Sequence, residues 1–308
     1  MRSFKYQDKG TAVHCLNPLV KLVWGGSTVL LSLIFNHPVY ILLLLAAILC
    51  LTWVARVWRE LTSMLRLSLW LAISIIAINA LVSYHGAHIL VEAPFKLPVM
   101  GIPKITVEAI VFGAVMALRL TVIISAFTLV NLTTHPDDIM AVLLKMKLPY
   151  KSALVASLST RFIPCLVEDV ERISDVHRAR GLELDAGNWF MRLRSRGQIT
   201  VPLLANSLDR AVQVAEAMES RAFGTGQGRT LFKDIKIRRW DVLTLGFVIL
   251  PLAFGVFLRA WGYGNYQYYP TLEAISFGSP EGVLLSILAL LLLAIAPLAA
   301  LKRRLELD

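Results

Sequence analysis

The sequence predicts an all-α polytopic membrane protein, with about six transmembrane helices plus long cytoplasmic amphipathic helices. Three observations carry this. The 308 residues are 56% hydrophobic, with a mean hydropathy of +0.65, beyond what a soluble domain of this size usually shows. Six apolar runs approach the roughly 20 residues that a membrane helix needs. Between the fourth and fifth lies a long polar segment whose apolar residues recur every three or four positions, the period of an amphipathic helix. The chain thus reads as residues 1–132, an N-terminal membrane domain of four spans, then 133–239, a cytoplasmic helical segment, then 240–308, two C-terminal spans.

Leu19 to Phe35 and Val39 to Ala55 are separated only by Asn36-His37-Pro38, a tight helical hairpin. Leu67 to Tyr84, Ile105 to Leu132, Val242 to Leu258 and Val283 to Leu301 complete the set. Charge is scarce (17%) yet lopsided, with a net +10, so its placement fixes topology. Arg2, Lys5, Lys9 and Lys21 flank the first span, Arg56, Arg59 and Arg66 fill the second connection, and Lys302-Arg303-Arg304 follow the last span. The other connections, at Asn36, His85 to Lys104 and Gly262 to Gly282, carry few cations. The expectation is a multi-pass protein of the cell membrane with both termini and the long polar segment in the cytoplasm. The polar start, Met1 to Asn17, lacks the pattern of a cleavable leader, so the first span is expected to remain in the mature protein. Cys15, Cys50 and Cys165 have neither metal nor redox spacing and read as free thiols.

The outer loops are rich in proline, glycine and aromatics, notably Trp261-Gly262-Tyr263-Gly264-Asn265-Tyr266-Gln267-Tyr268-Tyr269. Tyr and Trp favour the headgroup layer, so this run reads as an interface anchor, or alternatively as an aromatic ligand surface. Arg119 falls near the middle of the fourth span. A charge there costs about 2.5–3.5 kcal/mol on insertion scales, so it should face the protein interior or a partner, in a structural or a coupling role. Glu108 lies near the boundary of the same span.

In the polar segment, Thr133-Thr134-His135-Pro136-Asp137-Asp138 ends one helix and starts another, with proline in the first turn and acids where the dipole favours them. Leu148-Pro149 breaks that short helix. A longer one runs from Tyr150 to Arg180 with an apolar stripe of Leu154, Leu158, Phe162, Leu166, Val170, Ile173 and Val176. Its other face carries Glu168 with Arg172 and Asp175 with Arg178, pairs at helical spacing that read as a solvated face. Gly181 is placed to cap it in a left-handed conformation. A second helix, expected from about Ile199 to Ala222, has a stripe of Leu204, Leu208, Ala211, Ala215, Met218 and Ala222, with Gly224 beyond.

Both helices thus end in similar tripeptides, Ala179-Arg180-Gly181 and Ser220-Arg221-Ala222. A guanidinium offers five donors in a rigid fork suited to a carboxylate, and at a helix C-terminus it could equally serve the helix's own last carbonyls. The duplication favours the first reading. Chemistry is otherwise missing. Gly224-Thr225-Gly226-Gln227-Gly228-Arg229 follows a helix and lacks a P-loop's Gly-Lys-Ser/Thr ending, so it reads as a linker. The pair His85 and His88 reads as polar loop or a weak metal contact. No cofactor is called for, no metal site emerges, and no residue set could hydrolyse ATP. The segment's cations are interleaved with acids, which argues against nucleic acid as a partner and against a purely lipid-binding scaffold.

These residues resemble a family: the transmembrane T component of energy-coupling-factor (ECF) ABC transporters, importers of vitamins and transition-metal ions. Gly10-Thr11-Ala12-Val13-His14-Cys15-Leu16-Asn17-Pro18 with Lys21 resembles the family's N-terminal run, with Asn17 where aspartate is expected. Arg172-Ile173-Ser174-Asp175-Val176-His177-Arg178-Ala179-Arg180-Gly181 resembles its first motif. Ala217-Met218-Glu219-Ser220-Arg221-Ala222-Phe223, followed by Gly228-Arg229-Thr230, resembles the second, with Ala222 in place of a frequent glycine. The resemblance implies that Ala179, Arg180, Gly181, Ser220, Arg221 and Ala222 dock into two ABC ATPase subunits, one tripeptide to each. It also implies that the crossed coupling helices offer Leu154, Leu158, Phe162, Leu166, Leu204, Leu208, Ala211 and Ala215 to a small substrate-binding membrane component (S component). A permease of a conventional ABC importer and a non-transport membrane scaffold remain the competing readings.

Overall fold

The computed structural model describes residues 9–82, 86–92, 104–145, 150–181, 188–223, 238–273, 279–298 and 300. Arg2, Lys5, His85, Leu148-Pro149, the Gly224–Arg229 loop, Thr230 and Lys302-Arg303-Arg304 lie outside them. In order, the elements are α1 (Pro18–Ile34), α2 (Pro38–Ala55), α3 (Trp58–Val82), β1 (Ile89–Glu92), β2 (Lys104–Thr106), α4 (Val107–Thr133), α5 (Pro136–Lys145), α6 (Tyr150–Ala179), α7 (Trp189–Ser220), α8 (Arg239–Ala260) and α9 (Ser279–Leu293). Among the described residues the protein is all-α but for one two-stranded ladder. Among the described residues five helical stretches are long and apolar enough to cross a membrane: α2, α3, α4, α8 and Glu281–Leu298. α1, at 17 residues, is a shorter apolar helix.

Contacts divide the chain into two compact units, Met1–Ile139 with Ile235–Asp308, and Met140–Asp234. In the first unit α4 packs on α1, α2 and α3, while α1 also meets α8, and α9 meets α2 and α8. Its centre is apolar and tightly filled, with Leu31, Phe35, Ile41, Leu44, Ile48, Val122, Leu258 and Leu288 wholly buried. In lipid such packing stabilises through van der Waals fit rather than water release.

Polar residues fix the N-terminal end of α1. Asn17 caps it by accepting from the Leu19 N–H at 3.1 Å, and Pro18 opens the first turn. Lys21 is buried and donates to the carbonyls of His14 and Thr133, each at 2.8 Å. Asn17 Nδ2 also donates to Asp241 Oδ2 at 3.3 Å, and both residues are buried. This contact accounts for asparagine here: a carboxylate could still cap α1, but it would face Asp241. Asn17→Asp is therefore expected to destabilise the first unit by about 1–3 kcal/mol, read as a lower thermal midpoint in detergent.

The α1–α2 turn stops level with the middle of α4. Lys21 near the start of α1 meets Thr133 at one end of α4, whereas Phe35 just past α1 meets Arg119, at mid-helix. Irregular backbone at that depth must find partners within the protein. It does so: Arg119 Nη2 donates to Phe35 O at 2.9 Å and to Asn36 Oδ1 at 3.0 Å, and Tyr268 OH donates to Asn36 O at 2.5 Å. The N–H groups of Asn36 and His37 donate to Gly264 O. Gly264 sits at φ +73° with the Phe35 ring against it, where no side chain would fit.

Several expectations change. Tyr266 and Tyr268 are buried over this turn, edge-on to His37, to Phe112 and to each other. α3 starts at Trp58 and absorbs Arg59 and Arg66, because only Arg56, in a left-handed conformation, and Val57 interrupt the helices. β1 pairs antiparallel with β2, Glu92 opposite Lys104, a ladder with no counterpart in the sequence reading. It carries His88 onto the first turn of α4, where the wholly buried Glu108 accepts from the His88 N–H at 3.1 Å and lies 2.7 Å from its Nδ1. Glu108 stands at the span boundary, in the first turn of α4, and is a buried anchor there.

Candidate coupling helices

α6 and α7 dominate the second unit and pack on one another. α7 begins ten residues before the expected Ile199, at Trp189, and runs through Pro202. α6 likewise contains Pro164. Proline inside a helix removes one backbone donor and favours a bend at that point.

The two helix ends share one geometry. After α6, Arg180 is the last capping position and Gly181 is left-handed at φ +81°, its N–H donating to Arg178 O at 3.0 Å. After α7, Arg221 caps at φ −90°, and Ala222 is left-handed at φ +54°. Its N–H reaches Glu219 O at 2.8 Å, while Phe223 N–H reaches Met218 O at 2.9 Å. That is a Schellman closure. The left-handed residue is Ala222, and Gly224 lies outside the described residues. A Cβ at such a φ costs about 1–2 kcal/mol. Ala222→Gly is therefore expected to tighten the end of α7 by about 1 kcal/mol, seen as slower amide exchange at Ala222 and Phe223.

Each arginine thus stands immediately before a left-handed residue that turns the chain away. Both are exposed, and among the described residues neither guanidinium meets a carboxylate or a helix carbonyl. Ala179, Gly181, Ser220 and Ala222 are exposed beside them. The solvated face of α6 is only partly paired. Arg178 lies 3.5 Å from Asp175, whereas the expected Glu168–Arg172 pair does not form, each side chain being free to extend into solvent.

What sequence reasoning missed is the link between the helices. Asp169 is buried and accepts from Arg210 Nη2 at 2.9 Å, tying the third quarter of α6 to the third quarter of α7. The signal was present: Asp169 stands three residues after Leu166 and seven after Phe162, where the apolar stripe should continue. The eight stripe residues also separate. Leu154, Leu158, Phe162 and Leu166 are half-buried, whereas Leu204 (69%) and Leu208 (65%) are largely exposed, as are Ala211 and Ala215. The inward side of α7 is Ile199, Leu203, Arg210 and Val214 instead. Among the described residues no group of histidines, cysteines and acids is arranged to hold a metal.

Arg119, the remaining candidate, lies in the first unit and joins α4 to the α1–α2 turn as described above.

Comparison with known proteins gives these helix ends a context. The family described as CbiQ, cobalt transport protein, matches residues 9–232. The chain is similar to the "Energy-coupling factor transporter transmembrane protein EcfT" of Exiguobacterium sibiricum, 36% identical over 163 residues, covering 50% of this chain and 61% of the relative. The protein of that name from Streptococcus thermophilus is 38% identical over 167 residues, covering 52% of this chain and 62% of the relative. The one from Bacillus subtilis is 29% identical over 265 residues, or 83% and 97%. The chain spans about three fifths of the length of the first two and nearly all of the third. With nearly three quarters of its residues inside the family match, and a multi-pass helical membrane fold, the chain belongs to the CbiQ family, home of the transmembrane components of energy-coupling-factor transporters.

Proposed function

We propose that this chain is the energy-coupling scaffold of an ECF-type ABC importer. Arg180 and Arg221 dock two ABC ATPase subunits, one each, through carboxylates in the ATPase grooves. The apolar side of the coupling helices holds a separate substrate-binding membrane component. ATP-driven movement of the ATPases shifts α6 and α7 and releases a vitamin or transition-metal ion inside the cell. Residues 1–132 and 240–308 form the membrane portion, 133–239 the coupling portion, and both termini are cytoplasmic.

One observation carries the reading: two exposed arginines sit at equivalent capping positions of two helices that are tied together by Asp169 and Arg210. A pull on either end is transmitted to the other helix through that buried pair. Catalysis of ATP hydrolysis belongs to the partners, and the chain acts as a non-enzymatic subunit.

The test is to tag the protein in its own cell, purify it in mild detergent and identify what accompanies it. Two ATPase subunits and a small, very hydrophobic membrane protein are expected, and the ligand of the small protein names the cargo. ATPases accompanied by an extracytoplasmic binding protein would assign a conventional permease. Absence of any ATPase would leave a membrane scaffold.

A further inference from the structure

The N-terminal turns of α7 carry a surface that the docking arginines do not explain. Trp189 is 74% exposed, Phe190 70% and Val201 72%. Arg192, Arg194 and Arg196 fall within the same turns, and the Arg196 side chain is exposed. From Asn188 to Leu208 there are three arginines and no acid. Cations near a helix N-terminus are opposed by the helix dipole, so this placement gains nothing from the helix itself. Bulky aromatics, adjacent arginines and local absence of acids together describe an interfacial helix. Trp prefers the headgroup layer, and each surface arginine near an anionic leaflet contributes about 1 kcal/mol. A protein groove would be served by the Leu204 and Leu208 stripe, whose surroundings carry no such cation density.

We propose that Trp189 to Arg196 is a membrane-interface anchor, with Trp189 and Phe190 seated among the headgroups of an anionic leaflet and Arg196 on lipid phosphates. The occupant is the bilayer that holds the protein. The anchor would keep α7 against the membrane surface, so that movement of its other end at Arg221 becomes tilt rather than free displacement. It is independent of whether Arg180 and Arg221 bind ATPases, because it needs no partner protein.

The test uses the full chain in nanodiscs with no other protein present. Its cysteines are replaced, and a nitroxide is placed on Asn188→Cys. In discs containing phosphatidylglycerol, the ratio of oxygen to nickel-chelate accessibility should rise several-fold over a reference label at Gln213→Cys. It should fall to the reference value in phosphatidylcholine discs and in the Arg192→Gln/Arg194→Gln/Arg196→Gln variant. A second variant, Trp189→Ser/Phe190→Ser, should lose the signal with α7 still helical by amide exchange. A label as open to the nickel chelate as the reference in every disc overturns the anchor. So does a protected label that ignores both lipid charge and the arginine substitutions, which would mean that protein covers the site.

Discussion

Replacing Arg180 and Arg221 together with glutamate is expected to abolish co-purification of ATPase subunits, and with it uptake, while the amount of protein in the membrane stays unchanged. The asymmetry follows from where the two side chains stand. Both are exposed beyond the last helical turn, outside any packed surface, so the fold hardly depends on them. Reversing charge at a helix C-terminus costs only about 0.3–1 kcal/mol through the dipole. A partner carboxylate, by contrast, would meet a like charge in a desolvated groove, where losing one side of a charge pair costs several kcal/mol. Lysine at each position separates charge from fork. It keeps the cation but loses bidentate contact, so Arg180→Lys with Arg221→Lys should weaken ATPase retention without eliminating it. Uptake at the normal rate in the double glutamate variant would sink the coupling role.

The second large effect concerns Asp169 and Arg210. Asp169→Ala leaves the Arg210 guanidinium half-buried without its carboxylate, and Arg210 Nη1 already lacks a partner. Breaking a buried pair from one side costs about 3–5 kcal/mol, and the partial exposure of Arg210 places this case near about 2–3 kcal/mol. Amide exchange along α6 and α7 should accelerate accordingly. Asp169→Leu with Arg210→Leu should restore protection, because two packed leucines replace the pair at little net cost. The informative readout is then transport: a protected double variant that still couples means the link needs only stiffness, whereas one that folds but does not couple means the ionic contact itself transmits movement. Equal exchange in Asp169→Ala and the unsubstituted protein would refute a structural role for the pair.

Much of the fold was legible in the residues. The apolar runs located the membrane helices, and the three-to-four periodicity located α6, ended by Gly181 as its left-handed conformation requires. The errors share a cause. The stripe begins at Ile199, yet α7 starts at Trp189: Asn188 to Gln198 contains no proline, and the helix runs through Gly197. Arg59 and Arg66 marked a connection by charge, but arginine is a good helix former and α3 runs through them. The aromatic run after Trp261 looked like an interface anchor because its composition suits one. What decides its burial is a turn over two hundred positions earlier, and local sequence cannot report that. The Asp169–Arg210 and His88–Glu108 contacts are long-range in the same sense, visible only as an acid in an apolar stripe or at a span boundary.

The half-height turn has a consequence for how the protein is made. Asn36 and Tyr268 are 232 residues apart, so the ribosome completes the α1–α2 hairpin long before the loop that covers it exists. Until Gly264 and Tyr268 arrive, the N–H groups of Asn36 and His37 and the carbonyl of Asn36 sit at lipid depth without those partners, a state that hydrocarbon penalises. The first hairpin must therefore wait in a shallower position, or in the keeping of the insertion machinery, and sink to its final depth only when the last third of the chain is in place.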